Sequence, residues 1–321
     1  MKKGLFLFAI LIVALFSMEV LLRANNFTYN VPFYEEDIPF IHKKINIDLR
    51  MYQFDFKLFW KFRPNNSDYD VNAAGFRDKD YAAYQKKGFR IIAMGDSCTA
   101  GHSLPLEGTY CAQLEEKLNN DLLNGSYEVI NAGVPGYTSF QGKRYLKKIL
   151  KYDPDFLIVF YGCNDRAKAR FEDKKLNYWR LFAIQFQRGF LAKTRFYQYV
   201  ISKTNYFKDI SWNIRVDEAD YVDNLNFIKN KCVKKGIAVL FIKHCRRNEI
   251  ESSVKYNRYT PPDPYIDLFG LFKSFKGNEE EIYLDQIHYA LLGNEIIANE
   301  VYEWMNKKGL LGKRPEIRGH N

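Results

Sequence analysis

Four short apolar runs alternate along the chain with segments of helical periodicity, and this alternation restricts the fold more than any other feature. The runs are FRIIAMG at 89–95, YEVINAG at 127–133, DFLIVFYG at 155–162 and IAVLFIKH at 237–244. Apolar runs of this length are typical of strands buried on both faces. Helices are predicted near 107–120, 139–151, 218–235 and 289–306. Strands that alternate with helices predict an α/β fold, with a parallel sheet covered on both sides.

The N-terminal segment is long and apolar enough to cross a membrane. Lys2 and Lys3 precede nineteen residues, 4–22, whose single charge is Glu19. A helix of that length spans roughly 28 Å, close to the thickness of a bilayer core. The lysines predict a cytoplasmic N-terminus and an extracytoplasmic remainder, periplasmic or extracellular. A cleaved signal peptide with a secreted product, and a buried core helix, are the alternatives. We expect a retained anchor at 1–24, because no small-residue cleavage site follows the apolar run.

Charge and cysteine content narrow the possible partners and compartments. The chain has 48 Lys and Arg against 38 Asp and Glu, a net charge of +10. This surplus favours acidic partners such as nucleic acid, anionic lipid or an acidic polymer, and export argues against nucleic acid. Five cysteines in 321 residues are too few for a disulfide-dense domain. We expect all five to be structural, although a pair between Cys98 and Cys163 is conceivable after export.

The pattern divides the chain into four parts. The anchor is followed by a stalk or adaptor at 25–89, the main domain at 90–307 and a polar tail at 308–321. Within the main domain, segment 166–208 has eleven Lys or Arg against two acidic residues. Its aromatic residues lie three and four apart, as on one helix face: Trp179, Phe182, Phe186 and Phe190. Two interpretations remain open, a lid or membrane-facing insertion, and a helix that packs its aromatic stripe on the core.

Polar residues follow the strands at the edge where a parallel sheet binds ligands. Ser97 comes directly after the first strand, where its hydroxyl is presented as a nucleophile and its N–H faces a developing oxyanion. Asp285 and His288, three residues apart, are spaced so that the carboxylate fixes the tautomer of the imidazole. Asn164 and the N–H of Gly133 follow two other strands and are candidate oxyanion donors.

Structural roles are the alternatives for these residues. Ser97 is also placed to begin a helix as its N-cap, and His288 to pack in the core. His102 lacks an Asp partner in the sequence and is not expected to act as a base. His244 ends a strand, where it lines the pocket or lies in the core or at the surface. Asp165 is expected to support the loop after the third strand.

Four motifs together resemble those of the SGNH hydrolases, the GDSL-type esterase family. They are GDSCTAG at 95–101, NAG at 131–133, GCND at 162–165 and DQIH at 285–288. NAAGFR at 72–77 is similar to a segment that precedes the catalytic domain in membrane-anchored bacterial relatives, and Arg77 is a candidate to dock it through a carboxylate. Two departures occur: Cys98 and Thr99 stand where Leu is expected, and DQIHY replaces the frequent DGxHP.

The resemblance implies a flavodoxin-like three-layer α/β/α sandwich with a central parallel sheet, and no metal or organic cofactor. It implies that Ser97 attacks an ester carbonyl, that His288 acts as base and then acid, and that Asp285 orients His288. Ser97, Gly133 and Asn164 would form the oxyanion hole.

The expected function is therefore a membrane-tethered serine esterase acting on O-acyl groups, acetyl first, of a cell-envelope glycan or a lipid. An O-acyltransferase with the same triad and a non-catalytic envelope-binding protein are the alternatives. Neither a dinucleotide-binding nor a Walker-type glycine loop is present, and no G-x-S-x-G elbow.

Overall fold

A computed structural model describes residues 2–31, 51–81, 86, 88–121, 126–204, 212–253, 256 and 258–312, without the side chains of Gln185 and Arg188. Parts of the predicted adaptor, of the basic segment and of the polar tail therefore lie outside the described residues. The chain divides into two compact units. One consists of Met1–Asn46 and Lys168–Asn213, and the other of Ile47–Ala167 and Ile214–Asn321.

Nine strands and eleven α-helices are present in the described residues. The strands are β1 (Tyr52–Asp55), β2 (Phe59–Phe62), β3 (Phe89–Gly95), β4 (Tyr127–Gly133), β5 (Phe156–Phe160), β6 (Lys168–Ala169), β7 (Asn213–Ile214), β8 (Ala238–Lys243) and β9 (Tyr265–Asp267). The helices are α1 (Lys2–Ala24), α2 (Ser97–Ala100), α3 (Tyr110–Asp121), α4 (Ser139–Ile149), α5 (Tyr178–Gly189), α6 (Arg195–Ser202), α7 (Glu218–Val233), α8 (Arg247–Ser252), α9 (Leu268–Lys273), α10 (Glu279–Ile282) and α11 (Leu291–Lys307).

The larger unit is built on a five-stranded sheet in the order β4-β3-β5-β8-β9, with every neighbouring pair parallel. Numbered along the chain within the sheet, this is the order 2-1-3-4-5 of flavodoxin-like folds. The four predicted strands all belong to it, and the predicted fold class is confirmed. The three-residue edge strand β9 was not predicted, because it is too short to give a periodic signal.

Helices cover both faces of this sheet. On one face, Ile91 and Ala93 share a buried cluster with Leu114 of α3 and Val301 of α11. On the opposite face Leu157 is equally buried, since successive side chains of a strand point to opposite sides. The helices pair accordingly, α3 with α11 and α4 with α7. This double cover explains why the strands are continuous apolar runs rather than alternating ones.

The order of the strands places the functional edge. The chain turns from β3 to β4 on one side and reaches β5 on the other, so β3 and β5 flank the point where the strand order reverses. Ligands of open α/β sheets bind in the crevice at such a point, beyond the carboxyl ends of the strands. Ser97 follows β3 and Asn164 lies four residues beyond β5, so both lie at this crevice.

The described part of the predicted adaptor packs within the larger unit. Strands β1 and β2 form an antiparallel hairpin that contacts the segment before α4. Trp60 Nε1 donates to the carbonyl of Pro135 at 3.1 Å, and the hydroxyl of Tyr137 donates to the carbonyl of Trp60 at 2.6 Å. Gln141 Nε2 donates to the carbonyl of Leu58 at 2.6 Å. These contacts support the loop that connects β4 with α4.

The smaller unit contains the N-terminal helix and most of the basic segment. Helix α1 has a mean hydropathy of 2.8 in its most apolar stretch and is long and apolar enough to cross a bilayer, as a signal sequence also is. It packs against α6. Glu19 Oε2 accepts from the N–H of Phe196 at 2.8 Å, and Phe27 meets the ring of Tyr199 edge-on at 5.7 Å. These contacts hold α6 at the C-terminal end of the apolar helix.

The aromatic stripe of α5 is exposed, which argues against the interpretation that it packs on the core. Trp179 is 75% exposed and Phe190 is 58% exposed, whereas Leu181 and Ile184 on another face of the helix are buried. Phe186 stacks on Phe190 with ring centroids 5.2 Å apart. A contiguous exposed aromatic surface of this kind is unusual for a soluble chain.

Candidate active site

The turn after β3 presents Ser97 at the start of a short helix. The side chain of Asp96 occupies the N-cap position and accepts from the N–H of Cys98 at 2.9 Å. Gly95 has no room for a side chain, because a Cβ there would lie 2.0 Å from Thr99 Oγ1 and 2.7 Å from the carbonyl oxygen of Phe160. The close packing of this turn thus requires a glycine at position 95.

Ser97, His288 and Asp285 form a continuous chain of hydrogen bonds. Ser97 Oγ lies 2.8 Å from His288 Nε2, and His288 Nδ1 lies 2.7 Å from Asp285 Oδ2. An ionised carboxylate only accepts hydrogen bonds, so Nδ1 carries the proton and Nε2 accepts from the serine hydroxyl. This is the tautomer in which the imidazole can take a proton from Ser97.

The environment of Asp285 keeps its carboxyl ionised. Partial burial would raise its pKa, but the hydrogen bond from His288 and those from the N–H groups of Ile287 and His288 outweigh this effect, so that the pKa is lowered. The two backbone bonds are 2.7 and 2.8 Å long and both reach Oδ1. Oδ2 is thereby left to bind the imidazole.

The loop that carries His288 is held by contacts with neighbouring elements. The carbonyl oxygen of Ile287 accepts from Cys98 Sγ at 3.4 Å and lies 3.1 Å from His244 Nε2. Burial lowers the pKa of His244 to about 3, so its ring is neutral and donates through Nε2. The N–H of Arg247 donates to the carbonyl of Gln286 at 3.2 Å. The unusual DQIHY sequence therefore still forms a tight, fixed turn.

Gly133 and Asn164 lie at the ends of the two strands that flank β3. The N–H of Gly133 donates to Asn131 Oδ1 at 3.1 Å. Asn164 Nδ2 lies 3.1 Å from Asp96 Oδ2 and 3.2 Å from the carbonyl oxygen of Tyr137. Both predicted oxyanion donors are thus at the edge where Ser97 lies, and both are engaged with protein acceptors in this structure.

Asp96 connects the serine turn to Asn164. Burial raises the pKa of Asp96 to about 6, although hydrogen bonds from Cys98 and Asn164 act in the opposite direction. Asp165, the next residue, accepts from the N–H of Ser139 at 3.0 Å. It therefore supports the loop, and the N-terminus of α4, as the sequence suggested.

Two histidines lie closer to the triad than their sequence context indicated. The ring centroid of His102 is 4.4 Å from that of His288, and His244 supports the same loop. Neither could be placed from the sequence, since no motif connects them to residues 285–288.

The cysteines form no disulfide. All five are free and buried, so the conceivable pair between Cys98 and Cys163 is not formed. Burial raises the pKa of the Cys163 thiol to about 12, which makes it a poor nucleophile. In the described ranges, no group of three His, Cys, Asp or Glu side chains is arranged to hold a metal ion.

Arg77 makes contacts that the sequence did not predict, in addition to a contact with a carboxylate. Its guanidinium does reach a carboxylate, Asp70, at 3.3 Å. Its shorter bonds go to the carbonyl oxygens of Ala100, Gly101 and Leu104, at 2.6, 2.7 and 2.6 Å. The NAAGFR motif indicated that Arg77 is important, but the residue mainly contacts backbone carbonyls at and beyond the end of α2, the helix that Ser97 begins.

A serine, a histidine and an aspartate in one hydrogen-bonded chain, at the edge of a flavodoxin-like sheet, define a site of the serine-hydrolase type. Residues 93–198 match the model of the GDSL-like lipase/acylhydrolase family. This part of the chain is thus similar to that family over about a third of the chain's length. The match includes Ser97, Gly133 and Asn164, whereas Asp285 and His288 lie beyond it.

Solved structures similar to this chain include several esterases. A lipase/acylhydrolase from Enterococcus faecalis is 17% identical, with 72% of this chain and 99% of that chain covered and a TM-score of 0.45. A two-domain esterase active on acetylated mannans, co-crystallised with mannopentaose, is 17% identical, with 72% and 52% covered and a TM-score of 0.44. The psychrotrophic esterase EstA from Pseudoalteromonas sp. is 15% identical, with 69% and 99% covered and a TM-score of 0.42. A comparison with curated protein sequences finds no match.

Proposed function

We propose that the protein is a serine esterase that hydrolyses carboxylic esters through an acyl-enzyme. The observation that carries this proposal is the hydrogen-bonded chain from Ser97 Oγ through His288 to Asp285, with distances of 2.8 and 2.7 Å.

The reaction proceeds in two halves. Ser97 Oγ attacks the ester carbonyl carbon while its proton passes to His288 Nε2, and Asp285 stabilises the imidazolium that forms. The tetrahedral intermediate collapses as His288 returns the proton to the departing alcohol, which leaves the acyl group on Ser97. A water molecule, deprotonated by His288, then attacks the acyl-enzyme, and the proton returns to Ser97 as the carboxylic acid departs.

The oxyanion is assigned to three donors: the N–H of Ser97, the N–H of Gly133 and Asn164 Nδ2. Support comes from their shared position at the carboxyl ends of β3, β4 and β5. The oxyanion is a stronger acceptor than the neutral oxygens of Asn131 and Tyr137. It therefore takes over the bonds that Gly133 and Asn164 now make with these residues. Donors of this kind each contribute about 2.7–4 kcal/mol to transition-state stabilisation.

The substrate class is an O-acyl, first an O-acetyl, group on a cell-envelope glycan or a lipid. Similarity to the GDSL-like lipase/acylhydrolase family supports the hydrolysis of acyl esters. That the alcohol half is a glycan is a more specific part of the proposal. Retention of serine, histidine and aspartate in contact argues against a non-catalytic binding protein. Transfer to a sugar hydroxyl uses the same acyl-enzyme and differs only in the acceptor.

We also propose that α1 anchors the chain in a membrane and that the exposed face of α5 lies in the interface of the same bilayer. The contacts of Glu19 and Phe27 with α6 hold this region at the end of the apolar helix. Helix α5 precedes α6 by only five residues and exposes Trp179, an amphipathic residue enriched at membrane interfaces. Lysines and arginines of the segment favour anionic headgroups.

The proposed activity is tested with the full chain in detergent micelles and 4-nitrophenyl esters from acetate to long acyl chains. We expect turnover that Ser97→Ala lowers by a factor on the order of 10⁶, while Ser274→Ala, an exposed serine at the end of α9, leaves it unchanged. Preference for acetate supports the glycan assignment, and preference for long chains moves it to lipids. A folded wild type without turnover, or turnover retained in Ser97→Ala, would refute the assignment. Release of the acyl group only when a sugar acceptor is added would identify the transferase instead.

A further inference from the structure

A cavity near the loops that follow β5 and β8 is lined by more positively than negatively charged side chains. Its volume is about 320 Å³, within the range of small-ligand sites. All of its lining residues belong to the larger unit: Arg166, Ile214, Arg246, Asn248, Glu249, Tyr256, Arg258 and Tyr259. Three arginines and one carboxylate thus line the cavity, and Arg258 pairs with Glu218 outside the lining.

The cavity lies next to the proposed active site along the sheet edge. Arg166 is two residues beyond Asn164 in the loop after β5, and Arg246 is three residues beyond the end of β8. Because β5 and β8 are neighbours in the sheet, these loops adjoin each other and the crevice. The charge of Arg246 also acts to lower the pKa of the thiol of Cys163, the residue before Asn164, so the two side chains lie near each other. The cavity therefore lies on the side of the crevice where Asn164 is found.

The two inner arginines retain unused hydrogen-bonding capacity. The Nε atoms of Arg166 and Arg246 are both buried and have no hydrogen-bond partner among the described residues. Arg166 faces Glu249 at only 3.6 Å, a distance too long for a good hydrogen bond. Buried donors that are left unsatisfied cost free energy, so a ligand that accepts from them is favoured.

The lining also indicates which half of the ester enters. An acyl chain requires apolar walls, but Ile214 is the single aliphatic residue among the lining residues. Tyr256 stacks below the guanidinium of Arg166, with Cζ 4.7 Å from the ring centroid, and Asn248 adds an amide. Guanidinium groups bind carboxylate and phosphate through paired N–H donors.

We propose that this cavity binds the carboxylate or phosphate of an acidic sugar that forms the alcohol half of the substrate. The inference rests on the proposed esterase function and deepens it: the enzyme removes acyl groups from acidic rather than neutral glycans. Arg166 and Arg246 bind the anionic group, and Arg258, paired with Glu218 at 3.0 Å, forms the outer rim.

The test compares mono-O-acetylated methyl glucoside, methyl glucuronoside and methyl glucoside 6-phosphate, with released acetate as the readout on the full chain. We expect kcat/KM to be about ten- to a hundredfold higher for the acidic sugars, since buried charge pairs are worth at least one factor of ten. Comparing kcat/KM for the glucuronoside and the glucoside 6-phosphate shows whether a carboxylate or a phosphate is preferred. Equal rates for the neutral and acidic sugars would overturn the inference while leaving the esterase assignment intact.

Variants locate the effect. Arg246→Gln is expected to lower the ratio of kcat/KM for acidic over neutral sugars at least fivefold. Arg246→Lys should restore this ratio in part, because lysine keeps the positive charge but lacks the paired N–H donors of the guanidinium. Arg247→Gln is the matched control, since Arg247 pairs with Glu251 and Glu280 and does not line the cavity. Should Arg246→Gln not fold, Arg166→Gln makes the same measurement. An unchanged ratio in a folded variant counts against the site.

A second readout does not depend on turnover. Calorimetry of methyl glucuronoside binding to Ser97→Ala, and to Ser97→Ala combined with Arg246→Gln, measures the cavity directly. Binding to the first variant and at least fivefold weaker binding to the second supports the site even if no ester is hydrolysed. Equal affinities would refute it.

Discussion

The guanidinium of Arg77 donates a hydrogen bond of 2.6 Å to the carbonyl oxygen of Ala100, the last residue of the helix that Ser97 begins. The same side chain reaches the carbonyl oxygens of Gly101 and Leu104. The last carbonyls of a helix have no partner within it, and a cation at this end also complements the helix dipole. Arg77 therefore fixes the helix that begins with Ser97, the proposed nucleophile, although it lies on a segment outside the sheet.

We expect Arg77→Lys to lower kcat for ester hydrolysis about tenfold, with little change in KM, because a single ammonium cannot reach all three carbonyls. Hydrogen bonds to charged groups contribute about 1.5–3 kcal/mol each, so the thermal unfolding temperature should fall as well. Arg144→Lys is the control, since Arg144 Nη1 donates to the carbonyl of Lys57, away from the serine helix. An unchanged kcat in the folded Arg77 variant would show that its role is stability alone.

Gly133 packs directly against the serine helix. A Cβ at this position would lie 2.3 Å from the amide nitrogen of Ala100 and 2.7 Å from the carbonyl carbon of Thr99. We expect Gly133→Ala to displace α2 and lower kcat at least a hundredfold, because misplacement by about 1 Å has this effect on catalysis. Gly270→Ala is the control: a Cβ at Gly270 of α9 has nothing within 4 Å, and activity should be retained. Wild-type kcat in Gly133→Ala would contradict the close packing.

His244 makes the stability of the protein depend on pH. Its pKa is about 3 in the folded protein because of burial, whereas an unfolded histidine titrates near 6.5. Between these values the unfolded chain binds one more proton, so this contribution to stability is complete above about pH 6.5 and is lost as the pH falls toward 3.

We expect His244→Gln, which keeps a donor for the carbonyl of Ile287, to flatten this dependence. Moving from pH 7.5 to 5 costs the wild type about 2 kcal/mol through this residue, or roughly 4–8 °C in unfolding temperature. Differential scanning fluorimetry of the full chain in detergent at both pH values measures the difference. An equal fall in the variant and the wild type would show that other groups dominate.

Trp179 is predicted to lie in the membrane interface. With the full chain in nanodiscs that contain brominated lipids, we expect strong quenching of tryptophan fluorescence that Trp179→Phe removes. Helix α1 contains no tryptophan, so the signal reports on the segment outside the span. Trp304→Phe, in α11 of the larger unit, is the control and should keep the quenching. Access of aqueous iodide to Trp179, without quenching by lipid bromine, would contradict the interfacial position.

The sheet could be predicted from the sequence because its strands are buried on both faces, which makes each one a continuous apolar run. The three residues of the hydrogen-bonded chain, Ser97, His288 and Asp285, could be predicted because each follows a strand or belongs to a short motif. The hairpin β1–β2 and strand β9 were missed, since strands of three or four residues give no periodic signal and depend on their neighbours for formation.

Contacts that involve backbone atoms could not be predicted from the sequence. Arg77 was assigned to a carboxylate, whereas its shortest bonds reach carbonyl oxygens, which every residue possesses and no motif reveals. The proximity of His102 to His288 and the bond from Gly133 to Asn131 follow from tertiary packing of turns. The three-arginine cavity likewise joins two loops 80 residues apart in the chain, and only the neighbouring positions of β5 and β8 bring them together.

The contact between Ser97 and His288 joins positions 191 residues apart, and this has a consequence for biogenesis. During synthesis Ser97, the proposed nucleophile, emerges long before His288, its proposed base. A chain that ends anywhere before the loop between α10 and α11 contains a serine turn but no imidazole to activate it. On the proposed mechanism, esterase activity therefore begins only when about nine-tenths of the polypeptide has been made. On the same mechanism, chains that end before His288 leave the acyl groups around them intact.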